Sequence, residues 1–382
     1  MKTYELMDGT PPVSRIGIGG HYFAMEEGAF EDRYALTDTA VKARAPLIER
    51  ALAAGVTWFD TTWRNEAAVL AEILKATGLR DRVWVNGMVL GAFSGSKTHG
   101  VSVEEYFNRW LDARLKIMPG ARFDTFMVNA VEEQYDPALC ERLVNLLEKR
   151  RQAGDFRLFG FSSHDVRLAR EVAGRFPEFR VIMIPYNFRN RQLEQHFSDY
   201  EGKAALIAMK CLVWAEYGVP FCAVNRLPRF AELFGFEPVK DIATRALRFV
   251  LRNPQPRTLV CAINTRRELE ELLPAPDSAH HTDDARPLEN YDRLQTRDDG
   301  VPVFLGALMT DNLRQNYFGV THLARALGKA LPELPLNVPD SPARIRAVAQ
   351  RLLALLPESR FARYAGLVPP DIIGNPQAET EI

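Results

Sequence analysis

The chain has 382 residues, 47% hydrophobic and 25% charged, with 48 basic against 49 acidic side chains. That apolar content supplies a large core, and a formal net charge of -1 offers no field to gather nucleic acid or anionic lipid, so a small-molecule ligand is the expected partner. The opening MKTYELMDGTPPVSR lacks the apolar run of a signal peptide, and no later stretch reaches the roughly 18 uninterrupted apolar residues of a membrane span, which points to a cytoplasmic protein.

Between about residue 15 and residue 272, short β-branched or apolar runs alternate with longer segments of helical period, the pattern of repeated βα units. Strands are predicted at Arg15–Ile18, Thr57–Asp60, Val83–Met88, Phe123–Val128, Phe156–Phe161, Arg180–Tyr186, Ala205–Met209 and Thr258–Ala262. Eight of them imply an α/β protein built as a closed (β/α)8 TIM barrel over residues 1–273. The first helix is expected at Ala45–Ala54, where Leu47, Ile48, Ala51 and Leu52 form one apolar stripe and Gly55 supplies the stop. Glu66–Thr77, Val103–Ile117, Pro137–Gln152, Val166–Arg175 and Ile242–Leu251 repeat the arrangement, and Thr265–Leu273 opens with the capping-box pair Thr265 and Glu268.

Residues 274–300 are rich in Pro, Asp, His and Arg without apolar periodicity and read as a linker or surface excursion. Residues 301–382 read as a helical appendage, with helices at Asn312–Leu331 and Ala343–Leu356 whose apolar faces offer a surface for a protein partner. Cys140, Cys211, Cys222 and Cys261 are too irregularly spaced for a disulfide framework or a C-x-x-C site, and read as small buried residues.

In a barrel the chemistry sits at the C-terminal ends of the strands. These ends read Gly19-Gly20-His21, Asp60-Thr61-Thr62-Trp63, Asn86-Gly87-Met88, Asn129, Ser162-Ser163-His164, Tyr186-Asn187, Lys210-Cys211 and Asn264. With VSRIGIGG, IERALAAGVTWFDTT, GDFRLFGFSSH, IPYN and LIAMK in order, the region Val13–Leu273 resembles the aldo-keto reductases. The SSH and AMK variants are most similar to bacterial members carrying a C-terminal ferredoxin domain. No cysteine cluster follows Cys261, so no iron–sulfur cluster is expected here.

The resemblance implies a catalytic tetrad of aspartate, tyrosine, lysine and histidine, in which the tyrosine protonates a carbonyl beside the hydride donor and the lysine–aspartate pair tunes it. Asp60 matches the aspartate. The tyrosine belongs in a Tyr-Gly-x-Glu type segment, where TWRNE puts Trp63 or Arg64; the lysine position holds Met88 and the histidine position Asn129. Asp60 without that lysine needs another partner, Arg64, His21 or Lys210, or else serves as a structural carboxylate. Trp63 reads as wall packing or as a stacking surface for a ligand.

The resemblance further implies an NAD(P)H cofactor. Ser162 and Ser163 match the residues that hold the nicotinamide carboxamide, Met183 replaces the assisting glutamine, and Met209, next to Lys210, replaces the stacking aromatic. After the eighth strand, Thr265, Arg266 and Arg267 stand where related enzymes meet a 2′-phosphate, either as anion-binding groups or as ordinary solvated helix residues. No metal site is expected, although His21 and His164 follow strands on the same face as Asp60.

Three readings follow. The first is a divergent oxidoreductase barrel that keeps a pocket for a nicotinamide cofactor or other small ligand, with His21, Tyr22, His164 or Tyr186, or a water, as the substitute proton donor. The second is a non-catalytic binding protein, and the third a lyase or isomerase pairing Asp60 with a nearby histidine.

Overall fold

The computed structural model describes residues 3–20, 38–131, 135–201, 204–212, 241–263, 265–276 and 288–289. His21, Tyr22, Cys222, Asn264, His280, His281 and both expected C-terminal helices lie outside them. The chain divides into two compact units, Met1–Cys211 with Leu247–His281, and Leu212–Ala246 with Thr282–Ile382. Of the second unit, the described residues are Leu212, 241–246 and 288–289.

The first unit opens with an antiparallel hairpin, β1 (Thr3–Glu5) and β2 (Pro12–Ser14), in which Tyr4 faces Val13. Eight parallel strands follow: β3 (Ile16–Gly19), β4 (Trp58–Thr61), β5 (Trp84–Val89), β6 (Phe123–Val128), β7 (Phe156–Ser162), β8 (Val181–Pro185), β9 (Ala205–Met209) and β10 (Pro256–Ala262). They close in sequence order, with β10 pairing both β9 and β3, so the expected barrel is the observed one. Among the described residues the helices are α1 (Asp38–Ala53), α2 (Arg64–Thr77), α3 (Ala92–His99), α4 (Val103–Leu115), α5 (Pro137–Gln152), α6 (Val166–Arg175), α7 (Gln192–His196), α8 (Ile242–Arg252) and α9 (Arg266–Leu272).

The differences from expectation have local causes. Helix α1 already runs from Asp38, ahead of the expected Ala45, and accommodates Pro46, a residue that reads as a helix start. Helix α3 was not expected: its sequence, AFSGSKTH, is poor in strong helix formers and is held by burial of Phe93 and Ser96. The hairpin and α7 were also unforeseen, being too short to show a period.

Alternation along the strands sends Trp58, Trp84, Met88, Met127, Val181, Met183, Ala205, Ile207, Met209 and Val260 into one buried interior cluster, which Leu6 and Val13 of the hairpin join. Trp58 and Trp84, the first residues of β4 and β5, stack with ring centroids 6.2 Å apart. The facing position on β3 is Gly17, where a Cβ would lie 2.3 Å from the Trp58 ring, so the wall is bare there to admit the indole. Between barrel and helices, Phe126 meets Phe107, Phe123 and Phe156 at 5.7, 5.4 and 5.7 Å, and each such buried ring contributes about 1.5–3 kcal/mol.

Near the N-terminal ends of β5 and β6, buried Asp124 accepts from Arg80 Nη1 (2.9 Å), Arg157 Nε (3.1 Å) and the Val85 N–H (2.9 Å). Removing the carboxylate strands the buried Arg80 cation, so Asp124→Ala is expected to cost about 3–5 kcal/mol in urea unfolding. A loss below about 1 kcal/mol would show that water already compensates the guanidinium.

Candidate active site

The polar part of the barrel interior begins one inward step above the stacked indoles. Asp60, Asn86 and Thr125 occupy paired positions on β4, β5 and β6, so strand register alone sets them side by side. Thr125 Oγ1 donates to Asn86 Oδ1 at 2.6 Å, and Asn86 Nδ2 donates to Asp60 Oδ1 at 2.6 Å. Because Thr125 takes the amide oxygen, Asn86 has to turn its N–H toward Asp60. Asn86 and Thr125 are fully buried, and Asp60 keeps 8% of its surface.

Among the described residues Asp60 is thus a buried carboxyl whose hydrogen-bond partner is an uncharged amide; of the three partners the sequence offers, Arg64 points to solvent, Lys210 does not reach it, and His21 lies outside the described residues. Burial pushes the pKa of Asp60 from the ordinary 3.8 up to about 7; the Asn86 hydrogen bond opposes this and the nearby Glu66 carboxylate adds to it. Glu66 is buried at the start of α2 and accepts the Thr62 and Trp63 N–H groups at 2.7 and 3.0 Å. It completes from the N3 side the cap that Trp63, at the N-cap, cannot make with an oxygen of its own. Met88, buried one inward step above Asn86, receives the Thr62 hydroxyl at its sulfur, 3.8 Å away.

Across the barrel, Ser162 at the end of β7 donates to Asn129 Oδ1 (2.8 Å) and accepts the Ala130 N–H (3.0 Å). Its neighbour Ser163 donates to the Asp165 carbonyl (3.0 Å) and accepts the Asp165 N–H (3.1 Å), which ties it to the start of α6. Met183 pairs in register with Ser162 and turns its side chain into the interior, as does Met209 at the end of β9. The structure therefore gathers Asp60, Met88, Met183 and Met209 inside the barrel, with Asn129, Ser162 and Ser163 at the ends of its strands.

Other expected residues lie apart from this group. The Tyr186 hydroxyl donates to Glu194 Oε1 of α7 at 2.6 Å, and its ring leans on Phe249 of α8 with centroids 5.7 Å apart. Burial, then the Glu194 contact, holds that phenol well above its ordinary pKa. Lys210 has a left-handed backbone (φ 57°), and its carbonyl accepts from Asn187 Nδ2 at 3.0 Å. Thr265 caps α9 in the expected box with Glu268. Arg266 and Arg267 have side chains 81% and 71% exposed and approach Glu270 and Glu271, one helical turn on.

Sequence reasoning placed Asn86 at a strand end but missed it as the partner of Asp60, and missed Thr125 and Glu66 altogether. A signal existed for the first: Asn86 lies midway between Trp84 and Met88 on the inward face of β5, where parallel-barrel strands normally carry apolar side chains.

The family model for aldo/keto reductases matches residues 15–209, from the first barrel strand to the seventh. The chain belongs to the aldo/keto reductase family. Solved structures share this member's fold. A Pseudomonas aeruginosa protein assigned to the aldo-keto reductases aligns with TM-score 0.53 at 16% identity, covering 73% of this chain and 95% of that one. An aldo/keto reductase from Klebsiella pneumoniae, solved in complex with NADP and acetate, aligns with TM-score 0.54 at 16% identity, covering 75% and 93%. No curated protein sequence matches. No described helix is long and apolar enough to cross a membrane, and among the described residues no three His, Cys, Asp or Glu side chains come together as a metal site.

Proposed function

We propose that this aldo/keto reductase family member binds a nicotinamide dinucleotide and a small ligand at the C-terminal mouth of its barrel and does not run tyrosine-dependent carbonyl reduction. The bond from Asn86 to Asp60 carries this reading. The carboxyl that tunes a lysine in the family here holds an amide, with Met88 on the same face of the strand and Trp63 at the helix start. Neither a thioether nor an indole delivers a proton to a carbonyl oxygen.

The residues present fit the cofactor through its amide. Ser162, 2% exposed, has committed its O–H and one lone pair, which leaves a second lone pair to accept a carboxamide N–H, while Ser163 is fully buried and fixes the start of α6. Such a cofactor supplies a hydride when bound. Arg266 and Arg267 are exposed and turned toward their own helix, so they support no preference for a 2′-phosphate. The Klebsiella relative in complex with NADP supports the cofactor class.

Titration with NADPH and NADH, followed by their fluorescence, tests the reading. Saturable enhancement is expected for both, within a few-fold of each other, and Ser162→Val should weaken it about tenfold, about 1.4 kcal/mol. Absence of saturation at millimolar cofactor would leave the non-catalytic or cofactor-free readings. Restoring the phenol in Trp63→Tyr is expected to give no NADPH-dependent aldehyde reduction, because Met88 cannot lower its pKa; robust turnover in that variant would refute this account of the missing lysine.

A further inference from the structure

In an aldo/keto reductase barrel the aspartate acts at a distance, through a lysine and a phenol. Here Met88 takes the lysine's place and Asp60 keeps a small accessible surface of its own. We propose that Asp60 is itself the hydrogen-bond donor of this site, presenting its O–H to the carbonyl oxygen of a small aldehyde or ketone, with Asn86 and Thr125 as positioning residues.

Geometry assigns the proton. Thr125 fixes the Asn86 amide, and Asn86 donates to Asp60 Oδ1, so Oδ1 serves as the carbonyl oxygen of the acid and the hydrogen resides on Oδ2. Oδ2 makes no hydrogen bond with any described residue, so its O–H is available to an incoming acceptor.

The surrounding groups keep the acid neutral. From α2 the facing group is the Glu66 carboxylate, of the same sign, already occupied by two backbone N–H groups. From α4, Arg114 reaches the Thr62 carbonyl at 3.4 Å, not the carboxyl. From β5 come Asn86 and Met88, both uncharged, and β3 ends in glycines. A carboxyl in this setting pays desolvation on ionising and gains no cation among the described residues in return, in agreement with its raised pKa of about 7. The ligand class follows from the donor. A lone O–H beside methionine side chains selects an uncharged acceptor, and a carbonyl oxygen meets that requirement without bringing a second anion toward Glu66.

The inference rests on the barrel mouth admitting a small ligand, but its test needs no dinucleotide and so fails separately from the cofactor titration. The probe is benzaldehyde with the cofactor-free protein, observed by infrared difference spectroscopy, since the aldehyde C=O stretch falls when its oxygen accepts a strong hydrogen bond. In the wild type the lowered band is expected at pH 5.5 and lost by pH 8.5. In Asp60→Asn, whose amide donates at every pH, the lowered band should lose its pH dependence. In Asn86→Leu, which removes the bond favouring the anion, the loss should move to higher pH by about one unit. Circular dichroism verifies that both variants are folded. A carbonyl band unmoved at every pH, or a pH dependence that persists in Asp60→Asn, overturns the proposal.

Discussion

Asp60→Asn should make the protein more stable than the wild type at pH 8, by about 4 kcal/mol, and no more stable at pH 4. The native Asp60 carboxyl holds its proton up to about pH 7, whereas in the unfolded chain it releases it near 3.8. Between these values the native state binds one proton more than the unfolded state, so wild-type stability declines as pH rises, by about 1.4 kcal/mol per unit. Below the window both states are protonated, and above it both are ionised, so the group's contribution is flat on either side. Asparagine keeps the acceptor for Asn86 Nδ2 and never ionises, which removes the decline. Urea unfolding of both proteins from pH 4 to pH 9 measures it. Parallel curves for the two would show that Asp60 ionises in place at little cost, and the neutral-acid account would fall.

The larger effect is expected at Gly160. It pairs with Val181 across β7 and β8, and a Cβ there would lie 1.8 Å from the Val181 carbonyl oxygen, a backbone atom with no freedom to rotate away. Gly160→Ala must therefore part the two strands or break their register, at a cost above about 4 kcal/mol. The expected outcome is loss of near-ultraviolet dichroism and insoluble expression. Gly174→Ala in α6 is the matched control: its added Cβ meets nothing closer than Arg170 Nη1 at 3.5 Å, and helix propensity predicts a gain of about 1 kcal/mol. If Gly160→Ala melts like the wild type, β7 and β8 do not approach each other this closely in solution.

Much of the barrel was legible because each strand is a short apolar run between segments of helical period. Phe123–Val128 and Ala205–Met209 were delimited to the residue. What escaped lacked a period: the three-residue strands of the hairpin, and α3, whose serine, glycine and threonine argue against a helix that tertiary burial nevertheless holds. The site was legible as a set of strand ends, which is how Asp60, Met88, Asn129 and Ser162 were found. Its bonding was not. Which group answers Asp60 depends on the register of β4 against β5, and a one-residue slip would have offered Val85 or Gly87 in place of Asn86. Charge alone suggested arginine, histidine or lysine as the partner; among the described residues the pleat supplies an amide.

The stacked indoles of Trp58 and Trp84 lie at the sealed base of the barrel, while Trp63 stands half-buried at a helix start beside the opposite end. Two chromophores 6.2 Å apart couple their electronic transitions and produce a paired dichroic band that persists only while both strands hold their places. If the ligand proposed above enters at the open end, the emission of Trp63 is expected to change while that band stays as it is. The fold thus separates an optical signal of barrel integrity, at the base, from the indole of Trp63 at the other end.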